Sequence, residues 1–272
     1  MALIKLQNTM IEDVKIPFDK PYLLKGFCRN MEAVKKWNDI EYLKENFNNT
    51  KVDVEFYKTE KDFQTSIASI KSMKFNDYWD NMGDRTYVPD CSLIDLENEI
   101  DNKIFEDLIN PTEARVGLKN GIGQVGIPDD YNLYIGINTK TGTHCHIEDD
   151  FMLNQIVGKK KIYFLDFEHL TIKPFWSKYQ NFSRENFFEL NWDEMDIYYA
   201  ELSPGDSVTI PPWWWHAVES EDYTIGVAKL WERGDQNNLY KDDPKYLSLY
   251  RRNWFSRFFS PKWFTDWVRK TF

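Results

Sequence analysis

Three of the four histidines in this chain fall in two short segments far apart in sequence. One is Thr143-His144-Cys145-His146-Ile147-Glu148-Asp149-Asp150. The other runs from Ser203-Pro204-Gly205-Asp206 to Ile210-Pro211-Pro212-Trp213-Trp214-Trp215-His216. In an extended strand, side chains at i and i+2 share a face, so His146 and Glu148 present an imidazole and a carboxylate side by side. His216 can complete the set. Two imidazoles and one carboxylate on one face, with other positions left open, form the arrangement that holds a non-haem Fe(II) ready for a co-substrate and O2. Pro211-Pro212 must end a strand, because neither residue can donate to a ladder.

The rest of the chain supports a β-rich reading. Aromatic residues make up 17% of the sequence, a load that suits pleated surfaces packed by bulky side chains. Strands are expected over Val52–Tyr57, Leu133–Ile137, Thr143–Glu148, Phe151–Val157 and Lys160–Phe167. Others are expected over Tyr198–Leu202, Ser207–Ile210, His216–Glu219 and Thr224–Trp231, with Gly158 as a tight turn. Val14–Gly26, with Pro17 and Pro21, reads as an edge strand or strand entry. Helical spacing marks Asn30–Trp37 and Asp39–Phe47, with Asn30 and Asn38 as candidate caps, then a helix within Asp62–Met82 around Ile67–Met73 and an acidic one over Leu93–Leu108. The glycine-rich stretch Gly117–Asp130 reads as a connection without phosphate-loop spacing. His169–Asp196 reads as an aromatic, charge-mixed insertion.

At 272 residues and 32.6 kDa, the chain can hold one large domain or two small ones. A formal charge of -10 and a pI near 5.0 argue against a general nucleic-acid binder. No apolar run is long enough to span a bilayer and the N-terminus lacks a signal-peptide core, so a soluble intracellular protein, cytoplasmic or nuclear, is expected. Cys28, Cys91 and Cys145 are too few and too scattered for a disulfide framework. Cys145 lies between two histidines and alternation turns it away from them, toward core packing.

The pattern T-x-x-H-x-(D/E), then G-x-K, then P-G-D-x-x-x-I-P-x-x-W-W-H resembles the Jumonji-C (cupin-like) Fe(II)/2-oxoglutarate oxygenases. Within them it is most similar to the small protein hydroxylases of the hypoxia-inducible-factor asparaginyl hydroxylase type. The resemblance extends over most of residues 14–235. It implies a mainly β fold with peripheral helices, built on a double-stranded β-helix, the jelly-roll or cupin-like barrel. Residues 1–235 would form the catalytic domain, with a mixed α/β part at 1–125 and the barrel core at 126–235. A helical extension would follow at 236–272. That tail carries Tyr246, Trp254, Phe258, Trp263 and Trp267 at helical spacing among basic residues. It suits packing on the barrel, the homodimer interface that related hydroxylases build from C-terminal helices, or a membrane-surface helix.

The resemblance also assigns roles. Fe(II) would be held by His146, Glu148 and His216. A second register, His144-Cys145-His146 preceded by Thr141, gives a three-histidine site with His144 as the alternative ligand. The first is favoured because Fe(II) activation of 2-oxoglutarate normally uses a carboxylate. Lys160 matches the lysine of G-x-K that pairs with the far carboxylate of 2-oxoglutarate, whose charge must be neutralised inside a partly dry barrel. Thr143 can donate to the same carboxylate, Tyr134 can add a phenol, and Lys229 stands where the family carries an asparagine. The implied activity is hydroxylation of a side chain of a protein substrate at the expense of 2-oxoglutarate and O2. Two rivals are a cupin-like binding or scaffold module without turnover, and a three-histidine metal site that does not use 2-oxoglutarate.

Overall fold

The computed structural model describes residues 3–15, 18–47, 50–64, 68–112, 130–146, 149–166, 182–183 and 185–232. Among them the elements follow in the order β1 (Leu3–Lys5), β2 (Leu23–Leu24), α1 (Glu32–Lys36), α2 (Ile40–Phe47), β3 (Lys51–Phe56), α3 (Glu60–Gln64), β4 (Ser69–Lys74), α4 (Phe75–Asn81) and β5 (Thr86–Ser92). Then come α5 (Lys103–Asp107), β6 (Asp130–Ile137), β7 (Asp149–Leu165), β8 (Ile197–Leu202), β9 (Ser207–Ile210) and β10 (Trp215–Glu232). The strands pair in the order β1-β8-β7-β10-β6-β5-β3-β4, and β9 bridges β7 to β2.

Two long antiparallel strands, β7 and β10, turn this ladder into a barrel. Their near halves, Phe151–Asn154 and Ile225–Leu230, lie in a layer with β9 and β6, while Lys160–Phe164 and Trp215–Glu221 lie in a layer with β8. The change of layer falls at Gly158 and at a register shift between Glu221 and Ile225. Gly158 has φ +70°, and a Cβ there would sit 2.2 Å from the Tyr223 carbonyl oxygen. Only glycine satisfies both the left-handed backbone and the close approach. The result is the jelly roll that the sequence implies, mostly β with helices outside it.

Alternation then sorts the side chains. Leu153, Ile162, Phe164, Ala200, Leu202, Val208, Ile210 and Ala228 point between the layers. On the outer face of the larger layer, Trp37, Leu43, Phe47, Phe75 and Tyr78 from the helices pack on Val52, Val54, Val88, Ile135 and Val227. Each fully buried large side chain contributes on the order of 1.5–3 kcal/mol, so the two cores hold the layers apart at a fixed spacing. The Ser203–Asp206 turn ties in the N-terminal segment. Asp206 accepts from the backbone N–H of Ser203 and Gly26 at 2.9 Å each, and from the Lys25 ammonium at 2.7 Å.

Several local expectations change. Ile67–Met73 holds no helix in its described residues; Ser69–Lys74 is the edge strand β4, paired with β3 along its whole length. Its side chains are largely solvated, so nothing in the sequence marked a buried stripe of either period. Leu93–Leu108 is mostly turns, with helix only over Lys103–Asp107. Asn30 and Asn38 cap nothing; Asp39 accepts from the N–H of Glu41 and Tyr42 instead. Gly158 is a bend within one strand rather than a hairpin turn, and the two strand pairs expected around it and around Ser220 are single bent strands. The residues from Gly117 to Pro128, much of the 169–196 insertion and the whole of 236–272 lie outside the described residues. No described helix is long and apolar enough to cross a membrane.

Candidate metal centre

The segment from Thr139 to His146 runs along the first half of β10 as an irregular strand. Thr141 N–H donates to the Val218 carbonyl at 2.8 Å, and Ser220 N–H donates to that of Thr139 at 2.9 Å. His144 and His216 exchange both backbone hydrogen bonds, at 3.1 and 2.8 Å. Directly paired residues put their side chains on the same face, and the two rings stand 4.1 Å apart between centroids. His146, two residues on, shares that face. Its ring is 5.4 Å from that of His144 and 4.9 Å from that of His216. Potential ligand nitrogens of all three lie within 4.8 Å of one another.

Hydrogen bonding fixes which nitrogen is free. His144 Nδ1 is 3.0 Å from the Gly142 carbonyl and His216 Nδ1 is 3.2 Å from that of Trp214. A carbonyl only accepts, so each Nδ1 carries the proton and each Nε2 keeps its lone pair. Burial, and for His146 and His216 the neighbouring imidazoles, hold those two well below the ordinary histidine range. His144 is lowered too, chiefly by burial. Three neutral imidazoles with lone pairs facing one another are the donor set of a first-row divalent cation. The residues present therefore fit a metal. Cys145 faces the other way, fully buried against Trp213, Trp215 and Phe187, and burial pushes its thiol up.

Between the layers, next to the histidines, is a recess with about 430 Å³ of empty space, its open mouth included. Phe151, Leu153, Ile210, Val218 and Ala228 give it apolar walls, and Lys160, Tyr134, Tyr87 and Thr141 give it polar groups. Lys160 is 4% exposed. Burial lowers its ammonium to about 8, and no described carboxylate pairs with it. The bare Cα of Gly226 makes room for it: a Cβ there would lie 3.1 Å from Lys160 Nζ. Tyr134 donates its hydroxyl to Asp90 at 2.8 Å. Burial pushes the Tyr87 phenol far above its usual range, so it remains an O–H donor.

The structure thus brings together His146, His216, Lys160, Tyr134 and the alternative ligand His144. Thr143 does not line the recess, and its buried hydroxyl has no hydrogen-bond partner among the described residues, while Thr141 faces the recess. Lys229 directly follows Ala228, which lines the recess, so alternation turns it to the opposite, buried face of the strand, with its ammonium 5.6 Å from the Tyr131 ring centre. Glu148 lies outside the described residues. Tyr87 and Phe151 carried no signal in the sequence, each being one aromatic among many in a strand.

The comparisons agree with this architecture. No curated protein matches the chain significantly. The sequence does match the family described as the cupin-like domain, over residues 16–237, a span that contains the barrel, the three histidines and Lys160. The chain belongs to the cupin-like domain family.

Proposed function

We propose that the chain is an Fe(II)- and 2-oxoglutarate-dependent oxygenase that hydroxylates a side chain, with the metal held by His144, His146 and His216. The observation that carries this reading is the pairing of a three-imidazole cluster with the buried ammonium of Lys160, which no described carboxylate pairs with, in one apolar recess. A buried cation without an anion is costly unless a ligand supplies one. A short diacid that chelates the metal at one end and meets Lys160 at the other answers both needs. Bound there, Fe(II) supplies the oxygen chemistry that oxidatively decarboxylates 2-oxoglutarate and hydroxylates a C–H bond. The chain's own part is to orient and to exclude water. The Gly142 and Trp214 carbonyls fix the tautomers, Lys160 and the Tyr87 hydroxyl hold the far carboxylate, and Phe151, Leu153, Ile210 and Ala228 keep the recess dry. Succinate formation that depends on Fe(II) and 2-oxoglutarate, and is lost in His216→Ala, tests it.

One observation favours a second reading, a three-histidine metal site that does not use 2-oxoglutarate. His146 stands where the resemblance, in the register led by Thr141, would place a carboxylate, so the described ligands are all neutral. Calorimetry of 2-oxoglutarate with Mn(II)-loaded protein separates the two: heat of binding that is lost in Lys160→Met supports the first, and no binding supports the second.

A further inference from the structure

We infer that Phe151 is a positioning residue that favours the metal-bound form of His146 over the free imidazole; this rests on the three-histidine metal site proposed above. His144 and His216 are each held by a hydrogen bond from Nδ1 to a backbone carbonyl. His146 makes no such bond among the described residues. Its ring instead lies flat on Phe151, with centroids 3.6 Å apart and planes 12° from parallel.

That contact is an unusual one for two neutral rings. Their faces are both electron-rich, so neutral aromatic pairs prefer offset or edge-on arrangements with centroids about 4.5–7 Å apart. The neighbouring pair, His144 on Phe182, keeps 4.9 Å at 18°. Coordination changes the sign of the interaction. A metal-bound imidazole gives up electron density and becomes a positively charged plate, which the face of a phenyl ring attracts. Phe151 cannot slide away, being 4% exposed in β7 and paired with Ile210 on one side and Leu230 on the other. The stack is therefore poor for the free ring and good for the loaded one. Phe151 takes the place of the missing Nδ1 acceptor, and it does so in a way that strengthens when metal binds.

Fluorinated phenylalanines at position 151 test this, because they keep the ring's shape while draining its face. Mono-, di- and trifluoro variants would be titrated with Co(II), read by calorimetry and by the ligand-field absorption of the bound ion, beside thermal unfolding of the metal-free protein. The expected result is a stepwise fall in Co(II) affinity of about tenfold across the series, with metal-free unfolding unchanged or slightly raised as the drained face repels the free imidazole less. Phe151→Leu should lose at least as much affinity, and Phe151→Trp should restore it. Equal affinities across the series overturn the inference, as does a parallel loss of metal-free stability, which would report packing alone. If the unmodified protein takes up no Co(II), the metal site itself is overturned along with it; a normal affinity with a flat series overturns only the role of Phe151.

Discussion

His144 and His216 are backbone partners, exchanging two hydrogen bonds across adjacent strands, and so their imidazoles meet over one face although 72 residues separate them in sequence. The pairing places His146 as the next residue on that face, and on the three-histidine reading proposed here Glu148 is not a ligand. His144→Ala should lower Co(II) affinity by about 100-fold or more, more than removal of an outer-sphere partner costs. Glu148→Ala should change it by less than about threefold. Equilibrium dialysis of the two variants checks both, and a large loss in Glu148→Ala would return the carboxylate to the ligand set.

Lys160 predicts a pH dependence with a definite sign. Its ammonium is lowered from 10.5 to about 8 by burial, so it is charged below about 8 and neutral above. Binding of an anionic ligand needs the charge, so 2-oxoglutarate affinity for Mn(II)-loaded protein should be flat below pH 8. It should then fall about tenfold per pH unit above it. Lys160→Met should bind weakly at every pH, with no such break. Stability without ligand runs the opposite way. The folded lysine binds fewer protons than the unfolded one between pH 8 and 10.5, so the cost of burying its charge is full below 8 and is relieved as pH rises through that window. Denaturant melts of both proteins across pH 7–10 measure it.

Two glycines should respond differently to one added methyl. At Gly158 the left-handed backbone and the 2.2 Å approach to the Tyr223 carbonyl leave no relief, so Gly158→Ala should cost about 3 kcal/mol or more in urea unfolding. At Gly226 the methyl meets Lys160 Nζ and Leu153 Cδ1 at 3.1 Å, both able to shift. Gly226→Ala should cost only about 1 kcal/mol, while lowering 2-oxoglutarate affinity about tenfold by displacing the ammonium.

Asp206, the acid of the Pro-Gly-Asp motif, serves the fold and not the chemistry. Its carboxylate gathers the N–H groups of Ser203 and Gly26 and the Lys25 ammonium. Asp206→Ala should destabilise by about 2–4 kcal/mol through the donors left unpaired. Co(II) affinity of the folded protein should stay within a factor of two, as measured by titration below the unfolding transition.

How much of this was legible before the structure depends on the kind of signal. Strands with one buried face, such as Lys51–Phe56, could be read because alternation is local. Gly158 was seen as a break but misjudged as a turn, since a bend between two layers and a hairpin leave the same glycine. Ile67–Met73 was misread because β4 is a solvated edge, where burial imposes no period. His216 and Lys160, singled out by motif spacing, both face the recess. The sequence favours His146 and Glu148 with His144 as the alternative, since alternation places all three on one face; the pairing of His144 with His216, a long-range contact, brings His144 into the cluster, and Glu148 lies outside the described residues. Tyr87 was invisible for a different reason: it reaches the recess through the β5–β6 pairing, a long-range contact that no local pattern records.

The most direct test is a crystal of the protein with Mn(II) and 2-oxoglutarate, measured at the manganese edge. The account predicts one anomalous peak bonded to the imidazoles of His144, His146 and His216, with the diacid's far carboxylate against Lys160. A peak bound elsewhere, or to Glu148 in place of His144, or a diacid lying away from Lys160, would contradict it.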